Sequence, residues 1–186
     1  MKTCRLCLPL VAALLLAPNP ARAAAPVLAA PDLGFSAELP VNWTLTDMPG
    51  SEYRVGSGPT EGDFRVNLQI SGVTSGEDLR GFTGDFERAL QTKEPGYRLV
   101  SLEGFKTDAG LDLMRLVVES QMRAHHLQFF YLGPATKDRY FVLKASVPVS
   151  QVEKYGPVFD GVAKSIKVDA PPPSEEAPEA VAKPED

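Results

Sequence analysis

Cysteine is nearly missing from this chain: there are two in 186 residues, Cys4 and Cys7. From Leu8 onward there is no thiol. That excludes structural disulfides, a thiolate nucleophile and cysteine metal sites from the body of the protein. Histidine is equally scarce, with only His125 and His126. They are adjacent, so no His-x-His or His-x3-His spacing exists to chelate a metal. There is no Gly-x-Ser-x-Gly elbow and no His-Glu-x-x-His, so the common hydrolase signatures are missing too. No apolar run approaches the ~20 residues of a membrane span. The net charge is −5, yet three of the 19 basic residues and none of the 24 acidic ones fall in the first 23 positions. The remainder is therefore more acidic than the total, with no general attraction for nucleic acid or anionic lipid.

What is there begins with Lys2 and Arg5, then the apolar run Leu8 to Ala17, then Pro18-Asn19-Pro20 and the small-x-small step Ala21-Arg22-Ala23. That order reads as a secretory signal peptide over 1–23, cleaved near Ala23. It predicts a periplasmic or secreted protein with no stable membrane insertion after cleavage. No twin arginine precedes the run and no lipoprotein cysteine follows it. At the other end, 170–186 holds five prolines and five acids against one lysine. It cannot bury enough apolar surface to offset its ordering entropy and reads as a disordered tail. Residues 24–31 (AAPVLAAP) read as a linker, which leaves one domain over 32–169.

Within that domain, alternation predicts a strand over 34–39, short strands over 43–48 and 52–55, and a clear one over 64–70. In the last, Phe64, Val66, Leu68 and Ile70 oppose Arg65, Asn67 and Gln69. Gly56-Ser57-Gly58-Pro59 between them reads as a turn and mobile surface loop. Helical spacing of Leu79, Phe82, Phe86, Ala89 and Leu90 predicts a helix over 74–93, with a capping box from Thr74 and Glu77 or from Ser75 and Asp78. Two hairpins follow, 97–106 with 111–120 and 125–132 with 139–147. These later strands carry apolar residues on both faces and so need cover on both. Ser150 and Glu153 suggest a capping box for a final helix, interrupted near Gly156 by Pro157. The expected class is α+β, a three-layer α/β/α sandwich with a mainly antiparallel central sheet.

Pro40-Val41-Asn42-Trp43 after early short strands, then a long strand, a helix, a four-strand meander and a helix ending in Ser165-Ile166-Lys167 complete the pattern. This order resembles the PsbP-like superfamily over 34–168, and the signal peptide and acidic body look closest to its bacterial periplasmic DcrB-like branch. The resemblance implies a non-catalytic binding or assembly protein with no cofactor. No functional residue of the photosystem or Ran-binding branches maps onto this chain.

Candidate site residues are few. Gly56 to Gly62 hints at a phosphate loop, but a strand follows it and no helix N-terminus would face the phosphate. His125 and His126 are weak metal candidates, since neighbours on a strand point to opposite faces. Trp43 reads as a core anchor. The acid-rich segment 47–63, with Asp47, Glu52, Tyr53, Arg54, Glu61 and Asp63, is the expected binding loop. The reading is an exported, non-enzymatic binding or assembly protein of the bacterial envelope, with another envelope protein as partner. One alternative is a periplasmic carrier of a small apolar ligand, in a pocket lined by Phe82, Phe86 or Phe159. Another is a weak hydrolase. Oligomeric state stays open.

Overall fold

Val66, Leu68 and Ile70 are buried while Arg65, Asn67 and Gln69 are not, and the chain there is a strand of eleven residues, Phe64–Thr74. The computed structural model describes residues 24–47, 53–121 and 126–169. The expected signal peptide and tail lie outside the described residues. The strands are β1 Val27–Ala30, β2 Phe35–Glu38, β3 Thr44–Thr46, β4 Val55–Glu61, β5 Phe64–Thr74, β6 Arg98–Lys106, β7 Asp112–Ser120, β8 His126–Pro134, β9 Arg139–Pro148 and β10 Lys167–Val168. Helix α1 is Leu79–Lys93 and α2 is Val152–Lys164. Seven strands form one sheet in the order β3-β4-β5-β9-β8-β7-β6, and three form a small one, β1-β2-β10. All of these pairings are antiparallel.

The large sheet is the middle layer. The α2 face carries the larger core, where Phe159, Val162 and Ile166 meet Phe129, Tyr131, Phe141 and Leu143, joined by Leu28, Leu33 and Phe35 of the small sheet's side. The α1 face carries a smaller one, where Phe82 and Leu90 meet Leu116, Val118, Phe130, Leu132, Tyr140 and Val142. Strand β8 is buried along almost its whole length, as a strand covered on both faces should be. The fold is therefore α+β, with three layers. No helix among the described residues is long and apolar enough to cross a membrane.

Four expectations need correcting. Residues 24–31 are not a linker throughout: β1 pairs with β2, and Leu28 and Ala30 are fully buried. Short alanine-rich sequence hides this because the burial comes from a partner strand. Gly56 to Pro59 is not a surface loop but part of β4. A Cβ on Gly58 would sit 2.6 Å from the Trp43 ring, and one on Gly56 2.9 Å from Leu39. Glycine is there for close packing rather than for turning. Helix α1 starts later than expected and is capped by Asp78, whose Oδ1 accepts from the Gly81 N–H at 2.8 Å. Ser75 accepts from the Glu77 N–H instead, in a local turn before the helix. Helix α2 is led by a 3-10 turn, Val149–Gln151, has no side-chain cap, and runs through Pro157 without a break.

Candidate docking face

The segment 47–63 does not form one site. Strand β4 runs through it, so its two ends lie about 20 Å apart at ~3.3 Å per residue. At one end Arg54 Nε donates to Asp47 at 2.9 Å on the surface. Beside it the Tyr53 hydroxyl donates to the Asp32 carboxylate at 2.7 and 2.8 Å, and Arg139 Nη2 reaches the same carboxylate at 2.9 Å. Burial pushes Asp32 upward, but the bonds from Tyr53 and Arg139 and the guanidinium charge outweigh it and hold the carboxyl below its ordinary value. At the other end Lys154 Nζ donates to Glu61 at 2.6 Å, and the Tyr155 hydroxyl donates to it as well. Those two bonds, Lys154 first, lower the Glu61 carboxyl. Asp63 is exposed in the turn beside Gly62, whose φ is +61°. Glu52 lies outside the described residues. These groups are fasteners: each holds one end of β4 to a neighbouring element.

His126 opens β8 with its ring 4.5 Å from that of Phe64; His125 lies outside the described residues. Among the described residues no group of three His, Cys, Asp or Glu is placed to hold a metal. The aromatic rings proposed to line a ligand cavity fill the core instead. Phe82 stacks on Tyr140 at 4.4 Å, Phe86 meets Phe130 at 5.2 Å, and Phe159 meets Phe129 at 5.3 Å. An open groove of about 350 Å³ lies elsewhere, between Leu39, Pro40 and Val41 and the Val158–Val162 side of α2.

A different surface stands out once the layers are assembled. Seven strands span about 29 Å at ~4.8 Å spacing, whereas one helix is ~10 Å wide. Helix α1 lies over β7 and β8 and reaches Tyr140 of β9 through Phe82, and among the described residues no helix lies on the rest of that face. The register places Gln69 opposite Lys144, Asn67 opposite Ser146, and Ser146 opposite Gln128. Ser57 and Thr44 continue the row across β4 and β3. This half is polar, with Ser57 and Gln128 buried and Asn67, Gln69, Lys144 and Ser146 partly exposed, while the half beneath α1 is apolar.

Lys144 is its one cation on β9. The ammonium is half-buried, 5.6 Å from the centre of the Phe130 ring. Burial lowers its pKa, and the Glu94 charge opposes that only in part. Lys144 makes no ion pair among the described residues. Glu94, just past the end of α1, is occupied elsewhere: its Oε2 accepts from Ser120 Oγ at 2.8 Å and from Gln128 Nε2 at 3.2 Å. Gln128 is 5% exposed, and its Oε1 has no partner among the described residues. An unsatisfied buried acceptor costs about 1–3 kcal/mol. A half-buried cation whose burial the Glu94 charge offsets only in part adds to that cost.

No protein-family model matches the chain, and no curated protein matches it in sequence. Solved structures do match. The cyanobacterial PsbP (CyanoP) of Synechocystis sp. PCC 6803 superposes with a TM-score of 0.57 at 18% identity, over 83% of this chain and 99% of that one. LpqN of Mycobacterium tuberculosis, described as involved in cell envelope biogenesis, gives 0.50 at 12% identity, over 71% of this chain and 81% of that one. The fold is PsbP-like.

On this PsbP-like frame the described side chains of the open face offer hydrogen bonds and two positive charges, Lys144 and the exposed Arg65 of the same β5 row. Lys144 can receive a carboxylate or a carbonyl oxygen, and Gln69, Asn67 and Ser146 can bond a peptide or an amide on either side of it. The sequence contained a signal for this surface that the reading of loops passed over. Lys144 and Gln128 are the polar interruptions in strands otherwise apolar on both faces. The Arg65, Asn67, Gln69 row pointed the same way. What the sequence lacked was the register that places these rows side by side.

Proposed function

We propose that this PsbP-like domain is an exported, non-enzymatic binding protein of the bacterial envelope, of the periplasmic kind. Its partner is another envelope protein, docked on the polar half of the sheet. The observation that carries this reading is Lys144, an ammonium held half-buried on a rigid strand face, in no ion pair among the described residues and only partly compensated by the Glu94 charge. Groups kept at a cost in stability point to function rather than to folding. The N-terminal basic-then-apolar sequence supports export, and the lack of thiols and catalytic spacings supports a role without chemistry. A partner presenting a carboxylate or backbone carbonyl to Lys144 would supply the missing acceptor in a charge-assisted bond.

A photo-crosslinking residue at Gln69 is expected to trap an envelope protein in living cells. One at Asp108, on the α2 side of the molecule, is expected to trap none. Lys144→Gln in the same chain should lower the Gln69 adduct about tenfold, the change worth about 1.4 kcal/mol. Equal adducts from both positions, or an adduct indifferent to Lys144, would overturn the reading.

A further inference from the structure

The β6 margin is the second open surface of the large sheet. Leu99, Val100 and Leu102 are 41%, 46% and 39% exposed. Among the described residues their strand has a neighbour, β7, on one side only. An edge strand presents unpaired N–H and C=O groups to any chain that can lie beside it.

The β6–β7 pairing slips by one residue at Val100: Leu99 faces Val118, and Ser101 faces Val117. In an unbroken strand, residues three apart lie on opposite faces. Here the bulge puts Leu99 and Leu102 on the same face, opposite Val118 and Leu116 of the core beneath α1. It likewise puts Arg98 and Glu103 together on the other face, opposite Glu119 and Arg115.

We propose that two copies of this chain pair antiparallel along β6, bulge against bulge. Arg98 then lies opposite Glu103 of the partner subunit, and Leu99 opposite Leu102 of the partner subunit. A two-fold axis normal to the sheet keeps each face on its own side. Each β6 changes face parity at Val100, so faces match along both arms when the segment before Val100 of one copy lies against the segment after Val100 of the other, and of such registers this one sets opposite charges together. The charges agree with it. Arg98 Nε already donates to Glu119 at 2.8 Å, and Arg115 Nη1 to Glu103 at 2.7 Å. Pairing would extend these into a row of alternating sign across the seam, at both ends. On the opposite face the leucines would carry the apolar layer beneath α1 from one copy into the next. The interface is isologous and closes on itself, so it makes a dimer and no filament. It runs only from Arg98 to Glu103, short of the ~1,200 Å² of a stable interface, so the dimer is weak and concentration-dependent.

Sedimentation velocity of the purified protein, from about 1 µM to about 1 mM, should show the mass rising from one chain to two. Arg98→Glu sets two carboxylates against each other at each end, and Glu103→Lys two cations. Each variant alone should keep the one-chain mass throughout. Mixed in equal amounts they should regain the two-chain mass, because every pair across the seam is again of opposite sign. Leu102→Asp, which changes neither ion pair, should also keep the one-chain mass. Far-UV circular dichroism matching the wild type confirms that each variant is folded. A wild type that stays at one chain, a single variant that still pairs, or a mixture that does not, would each overturn the proposal.

Discussion

Gly58 has no room for a methyl group. A Cβ there would meet Trp43 ring carbons at 2.6 and 2.7 Å, and the ring is itself wedged edge-on against Phe159 at 6.4 Å. Gly58→Ala should therefore destabilise the protein by about 1–3 kcal/mol, the usual cost of overpacking, read as a lower urea midpoint at unchanged slope. Gly84 in α1 is the opposite case, with nothing within 4 Å of an added Cβ. Gly84→Ala should gain about 0.5–1 kcal/mol from helix propensity. Residue type alone gives the two glycines the same meaning. The difference lies in a ring that arrives from fifteen positions earlier in the chain, which no local window contains.

At the scale of elements, the legible parts were those whose pattern is local. The alternation of β5, the helical stripe of α1 and the two late hairpins all appear where periodicity and turn residues put them. The parts that were missed depend on partners. Strand β1 is four residues made into structure by β2, and β4 is a glycine-rich stretch made into a strand by β3 and β5, with Leu39 and Trp43 packed against its glycines. The 47–63 segment looked functional because its charges cluster in sequence, yet those charges serve to fasten β4. Asp32 is the centre of one fastening, joining the 3-10 turn Pro31–Leu33 to Tyr53 and to Arg139 at the start of β9. Its carboxyl lies below the ordinary value of 3.8, so the unfolded chain binds that proton first as pH falls. The stability it contributes is present above 3.8 and is lost as pH drops through the lower, folded value. Urea midpoints of wild type and Asp32→Asn should differ at neutral pH and converge as the pH falls through the lowered, folded value.

For the whole molecule, the three layers follow from strands that read as apolar on both faces, and the sequences of β8 and β9 show this by themselves. What could not be seen was how unequal the outer layers are. Among the described residues, one side carries α2, the small sheet and the larger core, and the other carries α1 over part of the sheet. Polar links add to the asymmetry, since Asp160 of α2 takes bonds from both the buried Tyr131 hydroxyl at 2.6 Å and Arg115 at 2.8 Å. Burial, then the bond to Asp160, pushes the Tyr131 hydroxyl far up, so it remains a donor at any ordinary pH. Local opening follows the amount of buried contact. Native-state hydrogen exchange should therefore release the α1 amides at lower denaturant than those of α2.

Trp43 is the chain's single tryptophan, 3% exposed and set within the larger core. Excited selectively, its indole is a built-in optical probe of one hemisphere of the molecule. Its emission should be that of a dry site and should shift to the red only when the α2 side admits water. An opening confined to α1 would pass it unseen, while circular dichroism recorded it. Two ordinary spectrometers, read together, would then time the two halves of the protein separately without any label being attached.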